Sequence, residues 1–294
     1  MEKAVYHLPG LFEFYDFYRK FLPIYREKAE YFYDWCQIGS LYGAPADCLW
    51  AGGRVSTGNA DPRQVLALTE EYGLSARLTF SNSLLRPEHL KDPKCNRLCA
   101  LFGAEPGNGV IVHSELLLAY LKEKYPNFYF VSSTTKVLTD FEDLAAETER
   151  PDFRYVVPDF RLNKAFDRLA GLKEKRKVEF LCNECCWPGC RERKECYENV
   201  SRKNLGEHCP DHICAAPEGE KGYRFSAAMK NPAFIGIRDI RETYLPMGFS
   251  QFKIEGRGLG SAMLLEFILY YLTKPEYQLP LREEMYLDSM LDLF

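Results

Sequence analysis

The sequence has no apolar run long enough to cross a membrane. Its longest candidate, residues 262–272, contains Glu266 and is far shorter than the roughly 18 residues that a spanning helix requires. The first residues, Met-Glu-Lys-Ala-Val-Tyr-His, also lack the apolar core of an export signal. We therefore expect no membrane partner and a cytoplasmic location.

A strong excess of charge of one sign is also missing. The 38 Lys and Arg residues nearly balance 42 Asp and Glu residues, and the net charge of −4 excludes a basic nucleic-acid coat protein. One basic segment stands out: Arg191, Arg193, Lys194, Arg202 and Lys203. Glutamates interleave with it, which is more typical of a solvated helix face than of a phosphate-binding surface. The sequence thus gives no strong indication of nucleic-acid binding, and it does not decide whether the substrate is a small molecule or RNA.

The composition is that of an ordinary globular protein, with 46% hydrophobic and 27% charged residues and no repeat or linker. Short apolar runs alternate with helical patterns along most of the chain. The second run, residues 33–38, is followed by the small or polar residues Gly39 and Ser40. Helix starts are expected at Asp61-Pro62, at Ser114 and at Thr139, which with Glu142 forms a capping box. Eight such strand–helix pairs predict a (β/α)8 TIM-type barrel that occupies residues 1–294 as a single domain. One long segment without regular periodicity, residues 182–234, follows the seventh predicted strand, and we expect it to be a metal-binding loop.

Cysteines concentrate in this segment. Seven of the eleven lie between Cys182 and Cys214, and a chain without an export signal is a poor candidate for a disulfide framework. Closely spaced thiolates favour a soft metal, either zinc or an iron–sulfur cluster, over reduced packed thiols. Cys95 and Cys99 lie on a predicted helix, where a structural role is expected.

Polar residues follow the predicted strands at the point where each strand ends. In a barrel these positions converge on the C-terminal rim, where barrel enzymes place their sites. Charges at such a rim need partners or a ligand. The candidate catalytic residues are Asp159, Arg161, Glu184, Glu255 and Arg257.

Three segments resemble one known family. Residues 248–257 (Gly-Phe-Ser-Gln-Phe-Lys-Ile-Glu-Gly-Arg) are similar to a signature of the collagenase-like peptidase family, U32. Residues 183–193 (Asn-Glu-Cys-Cys-Trp-Pro-Gly-Cys-Arg-Glu-Arg) and 157–163 (Val-Pro-Asp-Phe-Arg-Leu-Asn) are similar to two further elements of that group. Together the matches cover the second half of the chain.

The resemblance implies a barrel that carries a 4Fe–4S cluster on four cysteines. It assigns Cys186 and Cys190 as ligands, and Cys209 and Cys214 complete the set by proximity. Alternative ligands are Cys48, Cys182, Cys185 and Cys196, and the alternative metal is zinc. The characterised relatives are oxygen-independent hydroxylases of transfer RNA, ribosomal RNA or a quinone precursor.

Three functions follow as hypotheses. The first is an oxygen-independent, hydroxylase-like oxidoreductase of anaerobic metabolism, with an electron donor as partner and its substrate at the barrel mouth. The second is a non-enzymatic binding protein whose long loop is stapled by metal. The third, a peptidase, is less favoured, because the sequence has no Gly-x-Ser-x-Gly or His-Glu-x-x-His motif.

Overall fold

Eight parallel strands with helices between them form a nearly closed barrel. The computed structural model describes residues 2–53, 58–217, 219 and 222–291, and the side chains of all of these except 287–291. The strands are β1 (Ala4–Pro9), β2 (Cys36–Gly43), β3 (Ser75–Phe80), β4 (Gly109–Val112), β5 (Tyr129–Ser132), β6 (Phe153–Val156), β7 (Glu179–Leu181) and β8 (Gln251–Lys253). They pair in the order β6-β5-β4-β3-β2-β1-β8-β7. A parallel bridge between Val156 and Val178 connects the two outer members, as a TIM-type barrel requires.

Helices follow the strands and cover the outside of the barrel. They are α1 (Tyr15–Glu27), α2 (Pro62–Glu71), α3 (Pro93–Phe102), α4 (Glu115–Lys124), α5 (Phe141–Glu149), α6 (Phe166–Ala170), α7 (Arg193–Asn204), α8 (Phe225–Ala228), α9 (Ile237–Asp239), α10 (Ser261–Tyr271) and α11 (Gln278–Leu291). Short 3₁₀ turns cover Ala29–Tyr31, Pro87–Lys91, Thr134–Lys136, Phe160–Leu162, Lys175–Lys177 and Pro275–Tyr277, and a π-helical turn, Ile240–Tyr244, follows α9. Within the described ranges, none of the helices combines the length and apolar character needed to cross a bilayer.

Helix starts follow local capping chemistry. Asp61 accepts a hydrogen bond from the Arg63 amide at 2.7 Å, and Pro62 occupies the first turn of α2, as predicted. Ser114 caps α4, also as predicted. The predicted capping box of Thr139 is wrong by one residue. Asp140 caps α5 instead, because its carboxylate accepts from two amides of the first turn.

Strand β2 lies further along the chain than the sequence pattern predicts. The prediction places it at residues 33–38, followed by a polar rim at Gly39 and Ser40, whereas the strand runs to Gly43. Ser40 is a buried partner of the β1 residue His7, with 2.8 Å between Oγ and Nδ1. The polar residue therefore belongs to the barrel interior and not to its rim.

The two sides of the barrel wall differ in chemistry. The outer side packs against the helices in one large apolar core that includes Tyr6 and Leu8. The inner side carries a small apolar cluster, made up of Tyr42, Ile111, Val131, Val157 and Leu181. Below that cluster lies a fully buried ionic network, in which Arg77 Nη1 lies 2.5 Å from Glu179 Oε2.

The long segment between β7 and β8 contains the regular helix α7, which apolar periodicity does not predict, although the interleaved charges there indicate a helix face. Its buried residues are Arg193, Tyr197 and Ser201, spaced four apart on one face. Ser201 accepts at Oγ from the Ser83 amide, and its carbonyl accepts from Asn82 Nδ2. Because this face is mostly polar, a search for apolar periodicity does not find the helix, although it docks on the barrel rim.

Candidate functional site

A cavity of about 270 Å³ opens at the C-terminal mouth of the barrel. Its wall is formed by residues at or just after the ends of β2, β3, β4, β5, β7 and β8. Among them are Thr79, Ser81, Glu184, Cys185, Lys253, Glu255 and Arg257. The location is the one that barrel enzymes use for their active sites.

Three of the five candidate catalytic residues line this cavity: Glu184, Glu255 and Arg257. Asp159 and Arg161 lie beside it and not in its wall. Arg161 Nε donates to Asp159 Oδ1 at 2.6 Å, and its Nη1 donates to the Cys190 carbonyl at 2.8 Å. The pair therefore ties the strand β6 end to the cysteine-rich segment.

A buried arginine links the two groups of candidates. Arg193, only 1% exposed, lies at the start of α7. Its Nη2 is 2.6 Å from Glu184 Oε2, and its Nε is 3.4 Å from Asp159 Oδ2. The sequence interpretation of this residue as part of a solvated face is wrong, because α7 turns it inward onto two carboxylates.

The Glu184 carboxylate is fixed from both sides. Besides Arg193, the backbone amides of Cys185 and Cys186 each donate to its Oε1 at 3.0 Å. Charge-assisted bonds of this kind hold a carboxylate in one orientation. Glu184 therefore orders the turn that presents Cys185 to the cavity.

Arg257 lies against a glycine that its guanidinium requires. A Cβ added at Gly53 would lie 2.2 Å from Arg257 Nη2, so no larger residue fits there without displacing it. Arg257 Nη1 is also 3.4 Å from Glu13 Oε1. Burial raises the pKa of Glu13, while the nearby guanidinium of Arg257 opposes that rise.

Lys253 forms the floor of the cavity and connects it to the ionic network inside the barrel. Its Nζ lies 3.6 Å from Glu179 Oε1 and 4.1 Å from the centre of the Tyr42 ring. Burial lowers the pKa of Lys253 to about 8. Burial opposes ionisation of Glu179, but the cations around it, Arg77 first, hold its pKa at about 2. The floor therefore combines a buried amine with a permanent counter-charge.

One group of metal-ligating side chains is present among the described residues. The ligand atoms of Glu184, Cys185 and Glu255 all lie within 4.8 Å of one another. Cys185 was an alternative ligand in the sequence prediction. The four first-choice cysteines lie outside this group: Cys186, Cys190 and Cys209 are half-buried, and Cys214 is exposed. Their role as a ligand set remains a prediction.

The other cysteines are distributed as follows. Cys182 is fully buried at the end of β7, and Cys196 is half-buried on α7. Cys48, an alternative ligand in the prediction, packs instead against Cys95, with their sulfur atoms 3.2 Å apart in the apolar core. This contact gives Cys95 the structural position expected for it.

Two features of the site escaped the sequence analysis. Lys253 is the last residue of β8 and lies between Phe252 and Ile254, so a search for polar residues after strand ends passes over it. Thr79 continues the inward-facing side of β3 that begins at Arg77, and alternation along this strand is the signal that would have found it. Ser81 follows the end of β3 and belongs to the polar residues that were expected at the rim.

No family model matches this chain, and no curated protein matches it either. The solved structure of the U32 peptidase Mk0906 superposes with a TM-score of 0.55 at 14% identity, covering 88% of this chain and 94% of that one. The protein described here has a U32-like (β/α)8 barrel fold, as predicted.

Proposed function

We propose that the C-terminal mouth of the barrel is the active site of a metal-dependent enzyme. The observation that carries this proposal is the convergence of Glu184, Cys185 and Glu255 within 4.8 Å in the wall of the mouth cavity. Two of these ligands come from the cysteine-rich segment 182–234, which we propose as the metal-binding loop. The third follows β8, so a bound metal would join the loop to the barrel.

The donor set decides which metal fits. One thiol and two carboxylates suit a single divalent ion such as Zn²⁺, which accepts sulfur and oxygen ligands together. A 4Fe–4S cluster requires four ligands, usually thiolates, and this group offers one. The assembled side chains therefore do not fit the cluster that the family resemblance implies.

The cavity residues have complementary roles around that ion. A divalent ion in this position would supply Lewis-acid chemistry. Arg257 can bind a planar anionic group through two parallel (bidentate) hydrogen bonds, and Lys253 is a second cation in the wall of the same cavity. Glu184, held by Arg193 and by two amides, orients the turn of Cys185. Glu255 lies between the two cations in sequence and supplies the carboxylate opposite the loop.

A second candidate is the oxygen-independent oxidoreductase with a 4Fe–4S cluster. It is supported by the number of thiols in the segment, six of which are exposed or half-buried: Cys185, Cys186, Cys190, Cys196, Cys209 and Cys214. Cys186, Cys190, Cys209 and Cys214 would be its ligands, and an electron donor would be its partner. A non-enzymatic protein whose metal only staples the loop is a third proposal. A peptidase is supported only by the resemblance of three segments to the collagenase-like peptidase family and by the similar structure, which is that of a U32 peptidase.

Metal analysis separates these candidates. We expect the anaerobically purified protein to be colourless and to hold about one divalent ion per chain. Cys185→Ala and Glu255→Gln should each lower that content, and Cys95→Ala, buried away from the mouth, should not. A brown protein with iron and sulfide in equal amounts would favour the oxidoreductase. A metal-free protein would contradict all three metal-binding proposals.

A further inference from the structure

Two buried hydroxyls without a hydrogen-bond partner among the described residues belong to side chains that line the mouth cavity, in β3 and its following turn. They are Thr79 Oγ1 and Ser81 Oγ, on side chains that are 5% and 1% exposed. Thr134, which lines the same cavity, also has a buried hydroxyl without a hydrogen-bond partner among the described residues. Burying a hydroxyl without a partner destabilises a protein. Such groups in the wall of a cavity therefore call for an explanation by a ligand.

Thr79 lies near one of the cations that line the cavity. A Cβ added at Gly53 would lie 2.2 Å from Arg257 Nη2 and 3.9 Å from Thr79 Cγ2, so the two side chains flank the same glycine. Lys253 lies below them on the cavity floor. Hydroxyls that can donate and two cationic side chains together are the chemistry that binds an oxyanion.

We propose that Thr79, Ser81, Lys253 and Arg257 form an oxyanion subsite that binds the carboxylate or phosphate group of a small-molecule substrate. This inference rests on the proposed function and deepens it by naming the substrate class. The cavity volume of about 270 Å³ limits the ligand to a small molecule. The subsite faces the same cavity as Glu184, Cys185 and Glu255, so the bound anion would have its remaining atoms beside the proposed metal.

The test measures anion binding and stability in the same variants. Calorimetric titrations with inorganic phosphate and with acetate, at constant ionic strength in chloride, distinguish the two oxyanion types. Thr79→Val and Ser81→Ala should each weaken binding of the preferred anion about tenfold, the usual effect of losing a hydrogen bond to a charged group. Thr148→Val is the matched control, since this buried α5 hydroxyl donates to the Ala145 carbonyl far from the mouth.

Thermal stability provides a second readout, in which the melting temperatures of the test variant and the control variant should change in opposite directions. Without anion, Thr79→Val should melt at or above the wild-type temperature, because it removes an unsatisfied hydroxyl, whereas Thr148→Val should melt lower. Wild-type affinity for both anions in Thr79→Val and Ser81→Ala would overturn the subsite. So would a wild-type protein that binds neither anion.

The metal content of the same samples separates this inference from the proposed function. If the protein holds metal but binds neither anion, the proposed subsite is wrong and the proposed metal centre is still supported. Metal-free protein that binds phosphate or acetate through Thr79 and Ser81 would support the subsite and remove the metal centre.

Discussion

Replacing Arg193 by methionine tests how the rim is held together. The guanidinium lies 2.6 Å from Glu184 and 3.4 Å from Asp159, and all three side chains are buried. It also packs over the Phe160 ring at 4.9 Å. Methionine keeps most of the apolar stem and its packing, so the main loss in Arg193→Met is the charge.

The expected destabilisation follows from burial. Removing one partner of a buried ion pair leaves its counter-charge uncompensated, which costs about 3–5 kcal/mol in the free energy of unfolding. Arg161→Met is the matched control, because Arg161 contacts the same Asp159 but is 25% exposed. Solvent reaches the Arg161 side of that pair, and Arg193 still faces the buried Asp159 when Arg161 is removed, so its loss should cost less, on the order of 1–2 kcal/mol.

Urea denaturation followed by circular dichroism measures both changes. Arg193→Met should lose more unfolding free energy than Arg161→Met, and adding Glu184→Gln should restore part of it by removing an uncompensated charge. Equal losses in the two single variants would refute this account of the rim, and so would a double variant less stable than Arg193→Met.

Three further predictions concern other parts of the molecule. Burial lowers the pKa of His7 from 6.5 to about 3, so between these pH values only the unfolded chain gains a proton at this residue. The contribution of His7 to the free energy of unfolding should therefore be complete above pH 6.5 and fall toward pH 3 by at most about 1.4 kcal/mol per pH unit. His7→Gln should flatten this slope in urea titrations at different pH. Gly53→Ala should displace Arg257 and weaken anion binding measured by calorimetry, whereas Gly171→Ala, at a turn with no close side-chain neighbour, should not. If the cluster of the second candidate forms, Cys186→Ala should abolish iron and sulfide binding; full iron content in that variant would remove Cys186 from the ligand set.

The strand–helix rhythm was predictable because its signals are local. Apolar runs gave seven of the strands close to their observed positions, and the caps at Asp61 and Ser114 fixed two helix starts. Helix α7 was not predictable from apolar periodicity, since its buried face carries Arg193 and Ser201. The end of β2 was misplaced because Ser40 resembles a rim residue until its partner on β1 is known.

The site was predictable only where polar residues follow a strand end. Glu184, Glu255 and Arg257 follow that rule and line the cavity. Lys253 and Thr79 do not, because each belongs to a strand and has apolar neighbours in the sequence. Which cysteine faces the mouth depends on how a long segment folds back onto the barrel, and spacing along the sequence does not determine it.

X-ray absorption at the metal edge tests the central claim most directly, because it counts the sulfur and oxygen atoms around the bound ion. The proposed site predicts one sulfur at about 2.3 Å, with oxygen neighbours at about 2.0–2.2 Å. The sulfur contribution should disappear in Cys185→Ala protein that retains metal. A shell of four sulfurs with neighbouring iron atoms, or a shell unchanged by Cys185→Ala, would contradict a metal centre formed by Glu184, Cys185 and Glu255.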